Sequence, residues 1–226
     1  MTDELRRRVI ETCLAMNTRG INQGRSGNVS VRIDATSFLI TPTGIAYDEI
    51  RLADVVRMTA DGTWYGRTPP SSEWRCHRDI LTSRADVAAI VHTHGPHATA
   101  LACLRKSIPA FHYVVALAGG DSIRCAPYAT FGTQRLSDHA LAALEGRRAC
   151  LLANHGMIAT GPTLSAALDL AVEVEALAGM YLEALSVGRP VLLSKAEIKR
   201  VVDKFRTYGT PDWTDPELRH GGTRGP

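Results

Sequence analysis

The run AAIVHTHGPH, residues 88–97, closes an apolar segment with three histidines, and His92 and His94 stand two positions apart in it. Side chains at i and i+2 of a strand face the same side, so two imidazoles would leave the end of a buried strand together. A third, His155, lies in ACLLANHGMIA, where an apolar strand is interrupted by Asn-His-Gly and then resumes. That turn sets His155 at the mouth of a sheet, as the strand end sets His92 and His94. Three neutral imidazoles with an open fourth position are a ligand set for a catalytic divalent metal, zinc above all. For any one of these histidines alone, a hydrogen-bonded polar residue at a strand end is the simpler account. His97 follows Gly95-Pro96 on a different local path and is left out of the ligand set.

Glu73, in PPSSEW, is the carboxylate placed to accompany such a site. The spacing predicts a helix starting near Ser71 or Ser72, with Glu73 in its first turn. Free backbone N–H groups and serine hydroxyls at a helix start attract anions, phosphate in particular, and a carboxylate beside them can move a proton. On its own, Glu73 reads equally as a surface residue favoured by the helix dipole. Two further loops, Gly24-Arg25-Ser26-Gly27-Asn28 and Thr41-Pro42-Thr43-Gly44, offer backbone donors and short hydroxyls to a phosphate monoester. Neither is a Walker loop or a dinucleotide fingerprint. Other chemistries lack their parts. The four lysines (Lys106, Lys195, Lys199, Lys204) all fall in charged or loop segments, unsuited to a Schiff base, and no G-x-S-x-G elbow is present. Carbon chemistry here would need a metal as electron sink.

The elements that must carry these residues follow from periodicity. Leu5, Val9, Cys13 and Met16 predict a helix over 3–18, and 29–33 with 38–40 a hairpin around a DATS turn. VVRMT and TWYG form a second strand pair, and Val87–His92 a buried strand. A helix is expected from Pro96 to Leu104. Short strands fall at 123–126, 149–153 and 157–159, with a helix at 133–145 between the first two. A long helix spans 164–185, and Ser194-x-x-Glu197 is a capping-box signature for a last one reaching about Phe205. Hairpins interspersed with helices predict an α/β fold with a mixed, largely antiparallel sheet rather than regular βαβ winding. Residues 1–209 are expected to form one catalytic domain, and 210–226, rich in Pro, Gly, Thr and charge, a mobile tail.

Composition excludes several classes. A net charge of +3, with 22% charged and 45% hydrophobic residues, is ordinary for a soluble domain. The Arg6-Arg7-Arg8 triplet reads as a solvated helix face and not as a nucleic-acid patch. No apolar run approaches the ~20 residues of a membrane span, and no signal-peptide core is present. Five widely spaced cysteines without CxxC read as reduced, buried thiols, so a cytoplasmic protein is expected.

Eight segments in one order over residues 22–209 carry a family resemblance: NQGRSGNVS, LITPTGIAY, PSSEW, IVHTHGPH, IPAFHY, CAPYATFGT, NHGMIA and KFRTYG. Together they resemble the class II aldolase/adducin family, and within it the bacterial L-fuculose-1-phosphate aldolases. The resemblance implies a three-layer α/β/α fold assembled as a homotetramer with active sites at subunit interfaces. It implies Zn2+ on His92, His94 and His155; an imidazole-rich site also accepts Co2+ or Mn2+. Glu73 is implied as a ligand of the empty site and as the acid/base once substrate binds. A phosphate pocket falls on Asn28, Thr43, Gly44, Ser71 and Ser72. Tyr113 is implied to act as a proton donor in a neighbouring subunit, while Phe131 and Tyr208 line the aldehyde end.

The implied reaction is reversible cleavage of a ketose 1-phosphate into dihydroxyacetone phosphate and a short aldehyde. L-fuculose 1-phosphate, a 5-deoxypentulose 1-phosphate and 5-methylthioribulose 1-phosphate all fit. Within the superfamily, a pentulose-phosphate 4-epimerase, a sugar-acid phosphate decarboxylase or a dehydratase would use the same histidines. An adducin-like binding module would lack them.

Overall fold

Side-chain alternation along the strands sorts the apolar residues into two layers, one on each side of a single sheet. A computed structural model describes residues 2–207. Nine strands pair in the order β4-β3-β2-β1-β5-β9-β8-β7-β6. They are β1 (Asn28–Arg32), β2 (Ser37–Ile40), β3 (Val56–Thr59), β4 (Trp64–Tyr65), β5 (Ala89–Thr93), β6 (Ile108–Pro109), β7 (Ser122–Ala126), β8 (Ala149–Leu152) and β9 (Gly156–Gly161). Every pairing is antiparallel except β7 with β8. That parallel pair is joined through the helix Gln134–Ala143, as a parallel connection requires.

Val29, Val31, Leu39, Ala89, Val91, Leu151, Met157 and Ala159 point to one face, against α1 (Thr2–Thr18), α3 (Pro96–Cys103) and α5 (Leu164–Val187). Phe38, Ile40, Ile90, Cys150, Leu152 and Ile158 point to the other, against α2 (Trp74–Ser83) and α4 (Gln134–Ala143). The mixed α/β/α architecture is the expected one. A last helix, α6 (Lys195–Phe205), packs Ile198, Val201 and Phe205 near Ala110 and Ala116, the latter in a 3-10 turn over Tyr113–Ala118. Thr133, Thr163 and Ser194 each accept an N–H from the first turn of the helix they precede, starting α4, α5 and α6.

Three expectations need correcting. The helix expected from Ser71 or Ser72 starts at Trp74, with Glu73 as its N-cap. Residues before it are held extended: Pro70 bridges Pro42, and the Ser71 N–H donates to the Thr41 carbonyl at 2.9 Å. The Glu197 carboxylate pairs with Arg200 rather than closing a capping box. Cys13, Cys76 and Cys150 are buried thiols, but Cys103 is exposed. Among the described residues no helix is long and apolar enough to cross a membrane.

Candidate metal centre

Register brings the ligand residues together. β1, β5 and β9 lie side by side, with Asn28 opposite His92 and His92 opposite Ile158. The face that carries Ile90 and Ile158 carries His92 as well, so its ring points toward α2. At the start of that helix the Glu73 side chain makes no capping bond and turns instead to the sheet. Between β8 and β9, Asn154 adopts a left-handed backbone (φ 56°), a conformation Asn tolerates well, and the tight turn delivers His155 to the same spot. Arg105 donates to the Asn154 side chain at 3.1 Å and steadies that turn.

One potential ligand atom from each of Glu73, His92, His94 and His155 lies within 4.8 Å of all the others. His92 Nε2 stands 2.9 Å from His94 Nε2 and 3.1 Å from Glu73 Oε2, and His155 Nε2 stands 3.3 Å from Glu73 Oε1. The protonation of His92 can be deduced. Its Nδ1 is 2.8 Å from the Met157 carbonyl, which can only accept, so Nδ1 carries the hydrogen. In the neutral ring Nε2 is then a bare lone pair, facing a carboxylate oxygen and a second imidazole nitrogen. Lone pairs crowded this way are relieved by a proton or a metal ion between them. A divalent metal satisfies all four donors at once, and its hydrogen-bonded second nitrogen is the usual orienting contact of a ligating histidine. The residues fit such an ion.

Electrostatics agree. Burial works against the Glu73 carboxylate, yet the facing His92 and His155 rings and the Asn28 amide hold its acid form well below the usual carboxylate range. Burial also opposes charge on His92, but the Glu73 carboxylate outweighs it and raises that ring above its ordinary value. Burial, then repulsion from the neighbouring rings, pulls His94 down to about 3, and burial with His92 pulls His155 down to about 4. These two rings stay neutral and ready to ligate.

The loops around the cluster are tied together. Arg25 donates to the Gly44 carbonyl at 2.8 Å, and the Thr43 N–H to the Pro69 carbonyl at 3.1 Å. So Thr43, Gly44, Ser71 and Ser72 sit in adjoining segments beside the glycine loop. The Ser71 hydroxyl accepts the Glu73 N–H at 3.3 Å, and Asn28 Nδ2 donates to Glu73 Oε2 at 2.9 Å. Gly27 is required by contact: a Cβ there would meet the His92 carbonyl at 2.5 Å and Asn22 Oδ1 at 2.9 Å. A cleft of about 350 Å³ opens over the cluster, lined by Ser26, Ser72, Glu73, His94, Phe131 and His155 among others. Phe131 is therefore at the site. Tyr113 does not line this cleft; it is half exposed and stacks on Phe205 at 6.2 Å. Tyr208 lies outside the described residues.

Sequence reasoning missed several participants. Tyr128 and Asn154 line the cleft without belonging to any recognised ligand pattern. Glu175 reaches from α5 to accept the His97 and Ala98 N–H groups at 2.8 and 2.9 Å and His97 Nδ1 at 2.8 Å. It thereby clamps the turn that follows His94, and it keeps His97 out of the cluster.

Comparison with known proteins agrees with this geometry. The family model "Class II Aldolase and Adducin N-terminal domain" matches residues 7–182. A 5-methylthioribulose-1-phosphate/5-deoxyribulose-1-phosphate aldolase of Rhodospirillum rubrum is 55% identical over 91% of this chain and 92% of its own length. An L-fuculose phosphate aldolase of Escherichia coli is 50% identical over 92% of this chain and 96% of its own. A solved L-fuculose 1-phosphate aldolase superposes with a TM-score of 0.87 at 40% identity, covering 90% of this chain and 96% of its own. With its family model, its aldolase relatives and its cluster of metal-fit donors in agreement, the chain belongs to the class II aldolase and adducin family, as a metal-dependent aldolase.

Proposed function

We propose that the protein reversibly cleaves a ketose 1-phosphate to dihydroxyacetone phosphate and a short aldehyde. The observation that carries this is the convergence of Glu73, His92, His94 and His155 beside three loops rich in N–H and hydroxyl donors. His92, His94 and His155 would hold Zn2+, for which Co2+ or Mn2+ would substitute, with Glu73 as a further ligand before substrate enters. The bound cation supplies Lewis-acid charge at the carbonyl end of the substrate.

The chain's own residues do the rest. Asn28, Thr43, Gly44, Ser71 and Ser72 bind the phosphate, which fixes the reacting carbons against Glu73. In the cleavage direction the bond between the third and fourth carbons breaks. The hydroxyl on the aldehyde side gives up its proton to ionised Tyr113 of a neighbouring subunit, and Glu73, in its acid form, returns one to the third carbon. In the condensation direction Tyr113 of a neighbouring subunit donates to the aldehyde oxygen, which explains its exposure on this chain. Phe131 closes the aldehyde end; Tyr208, implied by the resemblance to join it, lies outside the described residues. Support for L-fuculose 1-phosphate, 5-deoxyribulose 1-phosphate and 5-methylthioribulose 1-phosphate as the substrate comes from the relatives' names. A cytoplasmic homotetramer with one catalytic domain over residues 1–209 completes the proposal; the tail expected over 210–226 lies outside the described residues.

The test is to assay purified, metal-loaded protein for dihydroxyacetone phosphate with these three ketose phosphates. At least one is cleaved, and exhaustive chelation abolishes the activity. A full rate in protein stripped of every ion refutes the proposal.

A further inference from the structure

We infer that His77 is a positioning residue: it fixes the Asn28 amide in the one orientation that presents N–H groups, and not an oxygen, to Glu73. The inference deepens the reading above, resting on the roles given there to Glu73 and Asn28. His77 follows Glu73 by one helical turn on α2 and points to the same side, into the sheet. Its two ring nitrogens are both engaged with β1. Nδ1 is 2.7 Å from Ser30 Oγ and Nε2 is 2.5 Å from Asn28 Oδ1. The other end of that amide, Nδ2, is 2.9 Å from Glu73 Oε2.

The polarity of this chain of contacts is determined from its carboxylate end. Glu73 Oε2 can only accept, so the amide must turn its nitrogen to it. Reversed, the amide would set two oxygens against each other with no hydrogen between them. Oδ1 then faces His77, and it accepts, so His77 Nε2 carries the hydrogen. A neutral ring leaves Nδ1 bare, and the Ser30 hydroxyl donates to it. Each hydrogen therefore points along one direction, from Ser30 through His77 and Asn28 to Glu73.

Bulk water does not reach the Ser30–His77 and His77–Asn28 links. Ser30 is 0% exposed, His77 1%, Asn28 4% and Glu73 7%. Burial pulls His77 down to about 3, which keeps the ring neutral, as the assignment requires. Deleting the imidazole would leave Asn28 Oδ1 buried without a donor, and the amide would gain by rotating to find another partner. Rotation takes the N–H away from Glu73. It also misdirects the second N–H of the same nitrogen, which the phosphate reading aims at substrate. His77 touches no reacting atom, so its effect passes through Asn28.

Two experiments test this. In metal-loaded wild-type protein labelled with 15N-histidine, NMR shifts report the tautomer of His77 directly. Hydrogen on Nε2 with Nδ1 bare is expected; hydrogen on Nδ1, or on both, overturns the inference whatever the substrate proves to be. Kinetics give the second. His77→Leu, with metal content unchanged, lowers kcat by about tenfold and raises KM, as expected for a lost buried hydrogen bond. His77→Gln, which keeps an N–H for Asn28, recovers most of that loss. In an Asn28→Ala background the same His77→Leu change costs less than about twofold, because its effector is gone. An undiminished loss in that background overturns the inference. Should His77→Leu fail to fold, Ser30→Ala replaces it in the cycle with the same criterion. A wild-type protein that cleaves no ketose phosphate sinks the functional reading alone, since the tautomer measurement still decides this one.

Discussion

Replacing Glu73 by glutamine isolates the proton-moving role from the ligand role. The amide has the shape of the carboxylate. With its oxygen in place of Oε2 it still accepts from Asn28 Nδ2, now 2.9 Å away. Its nitrogen then stands where Oε1 lies 3.3 Å from His155 Nε2, and the buried negative charge is gone. Packing is conserved, so the fold is expected to survive. Three imidazoles are a complete ligand set for a catalytic metal, so the ion is expected to stay. What disappears is an atom able to carry the proton. Loss of a general acid/base lowers turnover by roughly 10²–10⁴, or about 3–5 kcal/mol at the transition state. The assay is dihydroxyacetone phosphate release by purified Glu73→Gln protein, with metal per subunit measured on the same sample. Turnover within about threefold of wild type refutes the proton role. So does full recovery of activity on adding excess metal, because Glu73 would then be a ligand only.

Tyr113→Phe is expected to slow cleavage while leaving the binding of inorganic phosphate intact, since Tyr113 does not line the cleft of its own chain. Mixing it with Glu73→Gln under conditions of verified subunit exchange restores part of the activity if the tyrosine acts across an interface; no rescue rejects that. In metal-free protein His94, His155 and His77 sit at about 3, 4 and 3, below the ~6.5 of an unfolded histidine. The unfolded state takes up their protons first, so stability is complete above about pH 6.5 and falls as the pH drops toward 4. His92, raised instead, offsets one of the three. Each uncompensated ring contributes a slope of up to about 1.4 kcal/mol per pH unit, and a thermal midpoint that rises from pH 7 to pH 5 contradicts this. Gly27→Ala forces a Cβ to 2.5 Å from the His92 carbonyl, so β1 and β5 must separate. A loss of about 1–3 kcal/mol in stability, with weakened metal retention, is expected in denaturant titration of loaded and stripped protein.

Strand-borne ligands were legible because their signals are local. His92 and His94 obey the two-residue period of a strand, and Asn154-His155-Gly156 breaks an apolar run as a turn does. The same period separates the two apolar faces, so the mixed α/β architecture follows from the hydrophobic pattern. Residue spacing predicts Glu73 in a first helical turn because nothing local keeps Ser71 and Ser72 extended. What holds them is the Thr41 carbonyl and the Pro42–Pro70 bridge, thirty positions away in the chain. β6 has two residues and exists only through its pairing with β7, so no periodicity could announce it. Glu175 and His97 are joined across the fold, and His77 looks like one more residue on an amphipathic helix until β1 docks against it. Tertiary contacts of this kind leave no trace in residue spacing.

The two halves of the cleft are built from different material, and that decides where substrate choice can reside. On its floor Glu73 is backed from beneath by buried residues on paired strands, Asn28 and His92, with exposures of 7%, 4% and 2% respectively. Moving any of them displaces a hydrogen bond inside the sheet or the Ser30–His77–Asn28 chain, so this half has little freedom to vary. The rim is the opposite. Tyr128 and Phe131 are 51% and 64% exposed on the loop between β7 and α4, where a side chain can change without disturbing the core. Discrimination between aldehydes differing by a methyl or a thioether is worth only about 1–3 kcal/mol, within reach of such apolar rim contacts. Substitutions on the rim should therefore alter the ranking among ketose phosphates while the binding of inorganic phosphate stays constant, whereas substitutions on the floor lower every substrate alike.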